Sequence, residues 1–218
     1  EKTLLSRIQK MLAKKIKAVI FDVGGVLQIK KQNRDKGIKG VHKEVAEKFN
    51  ISLDHYFDAV DDVYAKSIEG KLQEREVLKR LALNFKISQK KLIKVYKVVY
   101  TKNFNLNKEL LDYAEKIKKQ KIKIAILSDM WHHSKHTQII KKFYKVFNPL
   151  IISCDVGMRK PNKEIYKLIL RKLHTNPEET IFIDDREWNI KSAKEIGIKT
   201  ILFEDNKKTM NLLEKLLK

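Results

Sequence analysis

Short apolar runs alternate with amphipathic segments along the second half of the chain, and this alternation most constrains the fold. The apolar runs have strand length and lie at 122–127, 150–153, 180–183 and 200–203. Apolar residues at helical spacing mark the predicted helices at 108–120, 134–146, 162–173, 188–196 and 206–217. Strands that alternate with helices in this way form a parallel sheet with helices on both faces. An earlier apolar run at 16–22 supplies a further strand, so we predict an α/β core with a Rossmann-like parallel sheet.

The stretch between the first strand and the alternating part of the chain has a different pattern. From about residue 30 to 104, apolar residues recur at helical spacing, without strand-like runs between them. We therefore predict a small all-helical cap domain at 30–104, inserted after strand 1 into a core made of 16–29 and 105–218. Residues 1–15 also carry apolar side chains at helical spacing, which predicts an amphipathic N-terminal helix.

Composition sets the broad class of protein. The 218 residues suit one large domain or a core with a smaller insert, and 43% of them are hydrophobic, enough for a sizeable core. No apolar run approaches the roughly 20 residues that span a bilayer. The first fifteen residues lack the apolar region of a signal peptide. The single cysteine, Cys154, fits a reducing compartment. We therefore expect a cytoplasmic protein with no membrane partner.

The chain is strongly basic, with a formal net charge of +21 from 48 basic and 27 acidic residues. Such a charge is typical of proteins that bind nucleic acid. The basic residues, however, are mainly lysines spread along the whole chain among glutamates, without an RNA-binding aromatic signature or a helix-turn-helix pattern. We interpret the lysines as solvated surface that also attracts small anionic substrates, and we expect no nucleic-acid partner.

Acidic residues, a hydroxyl and a lysine follow the predicted strands at or soon after the points where the strands end. In chain order they are Asp22, Ser128, Asp129, Lys160, Asp184 and Asp185. The carboxyl ends of parallel strands meet at one edge of the sheet, and ligands bind at that edge. We therefore expect these side chains to lie close together.

This group of side chains has the composition of a site for phosphate and a divalent cation. Carboxylates bind Mg²⁺, which keeps several waters and accepts substrate phosphate as a further ligand. A lysine and a hydroxyl interact with phosphoryl oxygens, and an aspartate can act as a nucleophile. Each residue alone also fits a turn or a helix start. Their combination at the strand ends favours a functional site.

Four ordered segments resemble the motifs of the haloacid dehalogenase superfamily. They are Phe21–Leu27, Leu127–Asp129, Gly157–Pro161 and Ile183–Asp185. The stretch at 153–167 is similar to the branch that contains the N-terminal phosphatase domain of soluble epoxide hydrolases and bacterial sugar-1-phosphate phosphatases. The resemblance covers about 16–205 and identifies the helical insert as a C1-type cap. It implies a phosphatase that hydrolyses a small phosphorylated metabolite, such as a sugar phosphate, through an aspartyl-phosphate.

The resemblance also implies roles at the phosphate. Asp22 would be the nucleophile, and Ser128 would bind the phosphoryl group together with the backbone amide of Asp129. Lys160 would balance the negative charge of the nucleophile and of the phosphoryl group. These roles are transferred residue by residue, because each position matches a motif of the family.

A Mg²⁺ cofactor is implied in the same way. The ion would be held by the Asp22 carboxylate, the backbone carbonyl of Gly24 and Asp185. Asp184 would not bind the ion directly but would lie in the layer of residues around its ligands. Asn189 matches an outer ligand of the epoxide hydrolase relatives. The resemblance therefore implies a phosphatase that depends on Mg²⁺.

Position 24 departs from the pattern of the family. Most phosphatases of the family carry an aspartate there, which protonates the leaving oxygen and then activates water. Gly24 keeps the carbonyl but lacks this acid–base group, and such groups typically contribute about 10²–10⁴-fold to the rate. The departure favours substrates with good leaving groups, or a replacement from the cap. His42, His55 and Glu69 are the candidates for that replacement.

Other interpretations stay open at this point. One is a metal-independent dehalogenase that uses Asp22 on carbon, although the acidic pair at 184–185 suits a cation. Another is a catalytically weak or inactive protein that binds phosphate or nucleic acid. His132 and His136 have the spacing of a Zn²⁺ pair but lack an evident third ligand, so we favour a surface loop there. Cys154, beside apolar residues, is expected in the core.

Overall fold

The computed structural model describes residues 15–30, 38–132 and 144–218. Apart from Lys15, the predicted N-terminal helix at 1–15 lies outside these residues. The same is true of His136 and of most of the predicted helix at 134–146. Within the described part of the chain, no helix is both long enough and apolar enough to cross a membrane.

Strands and helices alternate through the second half of the described chain. The strands are β1 (Ala18–Phe21), β2 (Gln28–Lys30), β3 (Phe104–Leu106), β4 (Lys123–Ser128), β5 (Leu150–Ile152), β6 (Thr180–Asp184) and β7 (Lys199–Leu202). The helices are α1 (Ile38–Phe49), α2 (Leu53–Ile68), α3 (Glu74–Asn84), α4 (Gln89–Asn103), α5 (Lys108–Lys119), α6 (Ser153–Val156), α7 (Lys163–Leu173), α8 (Glu187–Glu195) and α9 (Asn206–Leu217). Their bounds agree with most of the predicted elements to within about two residues, the usual uncertainty of helix ends.

Five of the described strands form a parallel sheet in the order β5–β4–β1–β6–β7. Strand β1 lies at its centre, and its four residues are all buried. Phe21, the last residue of β1, pairs with Ile126 of β4 and with Ile183 of β6. The carboxyl ends of these three strands therefore lie side by side, which places the residues that follow them at one edge.

Helices cover both faces of this sheet. On one face, Leu110 of α5 and Leu213 of α9 pack against the strands. On the other face, Ile169 of α7 and Ala193 of α8 do the same. Helix starts are fixed locally, because Asn107 and Asn162 accept hydrogen bonds from backbone amides of the first turns. The predicted α/β fold, a parallel sheet between two helical layers, is confirmed.

The described part of the predicted insert is helical and has a hydrophobic core of its own. Helices α1 to α4 pack together around buried residues that include Tyr56, Leu81, Leu92, Tyr96 and Val99. Ser52 and Ser88 cap α2 and α4 through their hydroxyl groups. Trp131, from the loop after β4, belongs to the same hydrophobic cluster. This group of helices, called the cap below, thus packs against a side chain of the core domain.

The edges of the cap differ from the prediction. Strands β2 and β3 pair as an antiparallel ribbon, with Gln28 opposite Leu106, where the sequence indicated only the start and end of a helical segment. Each strand has three residues, too few for a recognisable period. Similarly, the predicted strand at 150–153 ends one residue early, and Ser153 begins the short helix α6.

Candidate active site

Asp22 follows the central strand of the sheet, and its side chain is buried. Its backbone amide donates a hydrogen bond to the carbonyl of Ile183, 2.9 Å away, which continues the pairing of β1 with β6. The chain then turns sharply, because the amides of Val26 and Gln28 both donate to the carbonyl of Val23. The carboxylate is therefore held at the edge of the sheet by the strand before it and the turn after it.

Lys160 brings two of the predicted acids together. Its side chain is 2% exposed, and Nζ lies 2.9 Å from Oδ1 of Asp22 and 2.6 Å from Oδ2 of Asp184. Burial alone would lower the pKa of Lys160, but Asp22, Asp184 and Asp129 outweigh it and raise this pKa above its usual value. The lysine therefore stays charged although its side chain is buried.

Asp184 is fully buried and its two oxygens accept hydrogen bonds from three residues. Nδ2 of Asn189 lies 3.0 Å from each oxygen, the amide of Arg186 donates to Oδ1 at 2.9 Å, and Lys160 donates to Oδ2. Asn189 is buried as well. These bonds fix the orientation of Asp184, so this carboxylate positions Lys160 and the start of α8.

The carboxylate of Asp22 is less completely hydrogen-bonded than that of Asp184. Burial raises the pKa of Asp22 to about 6, with Lys160 opposing the shift and Asp184 adding to it. Within the described part of the chain, Oδ1 of Asp22 has no hydrogen-bond partner, since its contact with Lys160 is an ion pair without hydrogen-bond alignment. A buried carboxylate oxygen in this state has the capacity to accept a further ligand.

Asp185 lies against the glycine turn that follows Asp22. Gly25 has a φ of +82°, and a Cβ at this position would collide with the carboxylate of Asp185. Glycine is thus required here for the backbone conformation and for the close approach of Asp185. Burial, followed by the charge of Asp184, raises the pKa of Asp185. The turn at Gly25, after β1, and Asp185, after β6, therefore lie against each other, and this contact is called the cradle below.

Gly24 faces open space. A Cβ at this position would meet no atom within 4 Å, so the absence of a side chain is not dictated by packing. Gly24 lines the cleft described below. Position 24 therefore has space for a side chain but contributes no carboxylate to the site.

Ser128, the last residue of β4, and Asp129, which follows it, are predicted to bind the phosphoryl group, and both line the cleft that contains Asp22. Ser128 is buried. Oδ1 of Asp129 accepts a hydrogen bond of 3.0 Å from the backbone amide of Lys160. Burial raises the pKa of Asp129, and Lys160 opposes this shift. The Asp129 side chain therefore connects the backbone at Lys160 to the end of β4.

The acids also form a group of oxygen donors for a cation. Asp22, Asp184 and Asp185 each offer an oxygen, and these oxygens lie within 4.8 Å of one another. Carboxylate oxygens are the ligands that Mg²⁺ prefers. The unpartnered Oδ1 of Asp22 and the cradle at Gly25 add room and capacity for an ion. The residues present therefore fit a divalent cation of the Mg²⁺ type.

The site opens into a cleft of about 530 Å³ between the core domain and the cap. The cap wall is mainly apolar and aromatic, and includes Val41, Phe57, Val60, Tyr64, Ile68 and Tyr100. The core supplies the acids, Lys160 and two arginines, Arg159 and Arg186. Sequence reasoning gave neither arginine a role, although Arg159 lies within the motif at 157–161 and Arg186 directly follows the motif at 183–185. They add positive charge where an anionic group would enter.

The three cap residues considered as replacements for the missing acid–base group occupy different places. His42 lines the cleft that contains Asp22. His55 is exposed, and Nε2 lies 3.4 Å from the carbonyl of Asn84. Glu69 pairs with Lys71 in a salt bridge. Neither His55 nor Glu69 is among the residues that line the cleft.

The hydroxyl of Tyr56 holds His42 in place, and Tyr96 in turn contacts Tyr56. Nδ1 of His42 lies 3.0 Å from the hydroxyl of Tyr56, which lies 2.7 Å from the hydroxyl of Tyr96. Burial lowers the pKa of His42, so the neutral ring predominates at neutral pH. A neutral imidazole facing the cleft can accept a proton.

Comparison with protein families and curated proteins adds independent information. A family model described as haloacid dehalogenase-like hydrolase matches residues 16–197. The D-ribitol-5-phosphate phosphatase of Bacteroides thetaiotaomicron is 28% identical over 193 residues, which cover 85% of this chain and 90% of that protein. Bifunctional epoxide hydrolase 2 of Rattus norvegicus is 34% identical over 116 residues, which cover 51% of this chain and 21% of that protein. This chain thus matches only a small part of the length of the mammalian relative.

Solved structures show the same fold. A HAD family enzyme of Bacteroides thetaiotaomicron superposes with a TM-score of 0.73 at 24% identity, covering 92% of this chain and 99% of that one. The wild-type form of that bacterial enzyme, in complex with magnesium and inorganic phosphate, superposes with a TM-score of 0.67 at 23% identity, covering 89% and 98%. At these identities the likeness establishes the architecture.

Proposed function

The chain belongs to the haloacid dehalogenase-like hydrolases, and we propose that it is a Mg²⁺-dependent phosphatase that hydrolyses a small phosphorylated metabolite through an aspartyl-phosphate on Asp22. One observation carries the proposal: Asp22, Asp185 and the buried Lys160 line one cleft that the core shares with the cap, and the buried Asp184 lies beside them. The similarity to the D-ribitol-5-phosphate phosphatase of Bacteroides thetaiotaomicron supports a small phosphorylated metabolite as substrate.

The phosphate group would bind at the core side of the cleft. Lys160 and the hydroxyl of Ser128 would contact its oxygens, and Arg159 and Arg186 would attract the anion into the cleft. The apolar cap wall would hold the organic part of the substrate and exclude water. Positive charge in a site of low dielectric stabilises the phosphoryl group more strongly than it would in water.

Mg²⁺, held by Asp22, Asp185 and the carbonyl of Gly24, would neutralise charge on the phosphoryl group and on the acids around it. Asp22 attacks as the ionised carboxylate. With its pKa at about 6, most of this group is ionised at neutral pH even without a cation. A bond forms between a carboxylate oxygen and phosphorus, and the bond from phosphorus to the leaving oxygen breaks.

The second half of the reaction needs a base for the attacking water, and Gly24 cannot supply it. We propose that His42 takes this role. In the tautomer of His42 that donates its Nδ1 proton to the hydroxyl of Tyr56, 3.0 Å away, Nε2 would accept a proton from water as the aspartyl-phosphate is hydrolysed. The first half would depend on the leaving group, because a neutral His42 is a poor acid. Anomeric sugar phosphates and acyl phosphates are therefore the favoured substrates.

The test is release of inorganic phosphate from a panel of phosphate esters of graded leaving-group ability, with Mg²⁺ and with a chelator. We expect turnover that requires Mg²⁺, and a loss of at least about 10³-fold in Asp22→Asn. Gly24→Asp, for which the structure has space, should accelerate the esters with poor leaving groups most. Turnover that persists in Asp22→Asn, or that ignores the chelator, would contradict the proposal.

A further inference from the structure

A second group of potential metal ligands lies outside the carboxylate site. His132, Cys154 and Asp155 each offer a donor atom, and the three atoms lie within 4.8 Å of one another. His132 follows β4 in the loop that carries Trp131, whereas Cys154 and Asp155 belong to α6, after the neighbouring strand β5. Adjacent strands thus bring together residues that are more than twenty positions apart in sequence, which is why sequence reasoning paired His132 with His136 instead.

The imidazole of His132 supplies an independent observation. His132 is 8% exposed, and its Nδ1 atom is buried with no hydrogen-bond partner within the described part of the chain. Buried ring nitrogens in native proteins are nearly always hydrogen-bonded or bound to a metal. The nitrogen therefore has a free lone pair or proton in the same small region as a thiol and a carboxylate.

The chemistry of the donors selects the ion. A nitrogen, a sulfur and an oxygen suit Zn²⁺, which takes three protein ligands and leaves a fourth position for water. Mg²⁺ prefers oxygen ligands and does not favour a thiolate. We propose that His132, Cys154 and Asp155 form a Zn²⁺ site that is separate from the Mg²⁺ site at Asp22.

The position of this Zn²⁺ site gives it a structural role. The amide of His132 donates a hydrogen bond of 3.1 Å to the hydroxyl of Ser67 in α2 of the cap. A Cβ on Gly70, in the turn after α2, would lie 2.8 Å from the carbonyl of Cys154. An ion at this point would join the loop after β4 to α6 directly beneath the cap. It would thereby fix the loop after β4, which carries Asp129 and Trp131.

Metal binding without substrate tests the site. The chain is stripped with chelator, saturated with Mg²⁺ to fill the carboxylate site, and titrated with Zn²⁺ and separately with Co²⁺. We expect about one Zn²⁺ bound per chain in excess Mg²⁺ and a thiolate-to-cobalt charge-transfer absorption with Co²⁺. Cys154→Ser should abolish that absorption, and Asp155→Asn should weaken Zn²⁺ at least about tenfold.

Two comparisons keep the test decisive. Asp155 is exposed, so Asp155→Asn retains the core even if Cys154→Ser unfolds the chain, and circular dichroism checks both. His174→Ala, at an exposed helix end, should bind Zn²⁺ like the unaltered chain. The proposal is overturned if no Zn²⁺ binds in excess Mg²⁺. It is equally overturned if Co²⁺ shows no thiolate absorption, or if Asp155→Asn binds Zn²⁺ with unchanged affinity.

Discussion

The two buried aspartates beside Lys160 differ in how many hydrogen bonds they accept. Asp184 accepts bonds from Lys160, Asn189 and the amide of Arg186, so its orientation is fixed. Asp22 shares the lysine, but its Oδ1 lacks an aligned donor within the described residues. A carboxylate that is held in place but incompletely bonded is suited to attack, whereas a fully bonded one is suited to support. This difference in hydrogen bonding supports the different roles that we propose for the two residues.

Two adjacent glycines, Gly24 and Gly25, should respond differently to substitution by alanine. Gly25→Ala should lower the free energy of unfolding by about 1–2 kcal/mol, because residue 25 has a φ of +82°. It should also weaken Mg²⁺ binding, since the new Cβ displaces the Asp185 carboxylate. Gly24→Ala is the matched control, with open space around its Cβ, and should change stability by less than about 0.5 kcal/mol. Urea denaturation measures the stability of each variant, and titration measures its affinity for Mg²⁺. Equal behaviour of the two variants would show that the close approach of Asp185 does not require glycine at position 25.

His42 gives a prediction about pH. Burial lowers the pKa of His42 below its ordinary value of 6.5. As pH falls through 6.5, the unfolded chain takes up a proton that the folded chain resists, so stability decreases with falling pH. His42→Gln should therefore lose less stability than the unaltered chain between about pH 7 and pH 5. Urea denaturation at both pH values measures this, and an identical loss in the two proteins would count against a partly buried, neutral His42.

At the scale of elements, strong periodicity made most of the fold predictable. The parallel strands are continuous apolar runs, and the helices that flank them have clear apolar stripes, so both were found from sequence. The ribbon of β2 and β3 was not found, because three residues are too few to establish a period. The polar contacts that hold this junction were equally hidden, such as the bond from Asn107 to the carbonyl of Val26.

Trp131 links two elements that the sequence did not connect. It follows β4, yet its ring packs against Tyr64 and Tyr96 of the cap, with centroid distances of 5.4 and 6.1 Å. Trp131→Ala should lower the free energy of unfolding by about 3 kcal/mol, because it empties a packed hydrophobic site. Trp188 is the natural control, since it is 57% exposed, and Trp188→Ala should cost much less. Denaturant unfolding decides the matter, and similar losses for the two tryptophans would show that Trp131 does not anchor the cap.

At the scale of the whole molecule, the sequence predicted the core side of the site better than the cap side. Asp22 follows β1 and Asp184 ends β6, so topology alone brings these two acids together, and Lys160 reaches them from the loop after α6. The cap wall depends on how helices pack across the cleft, which no local pattern encodes. The choice of His42 over His55 and Glu69 needed that packing. The excess of lysine, interpreted as solvated surface, fits a protein that draws an anionic ester into an arginine-flanked cleft.

The central claim is that Asp22 becomes phosphorylated during turnover. Its most direct test is rapid acid quenching of the enzyme with Mg²⁺ and a substrate that it hydrolyses, followed by peptide mass spectrometry. We predict one phosphoryl group on the peptide that contains Asp22, its disappearance as substrate is exhausted, and no such adduct in Asp22→Asn. Turnover accompanied by a phosphoryl group on a different residue, or by full activity of Asp22→Asn, would contradict this account.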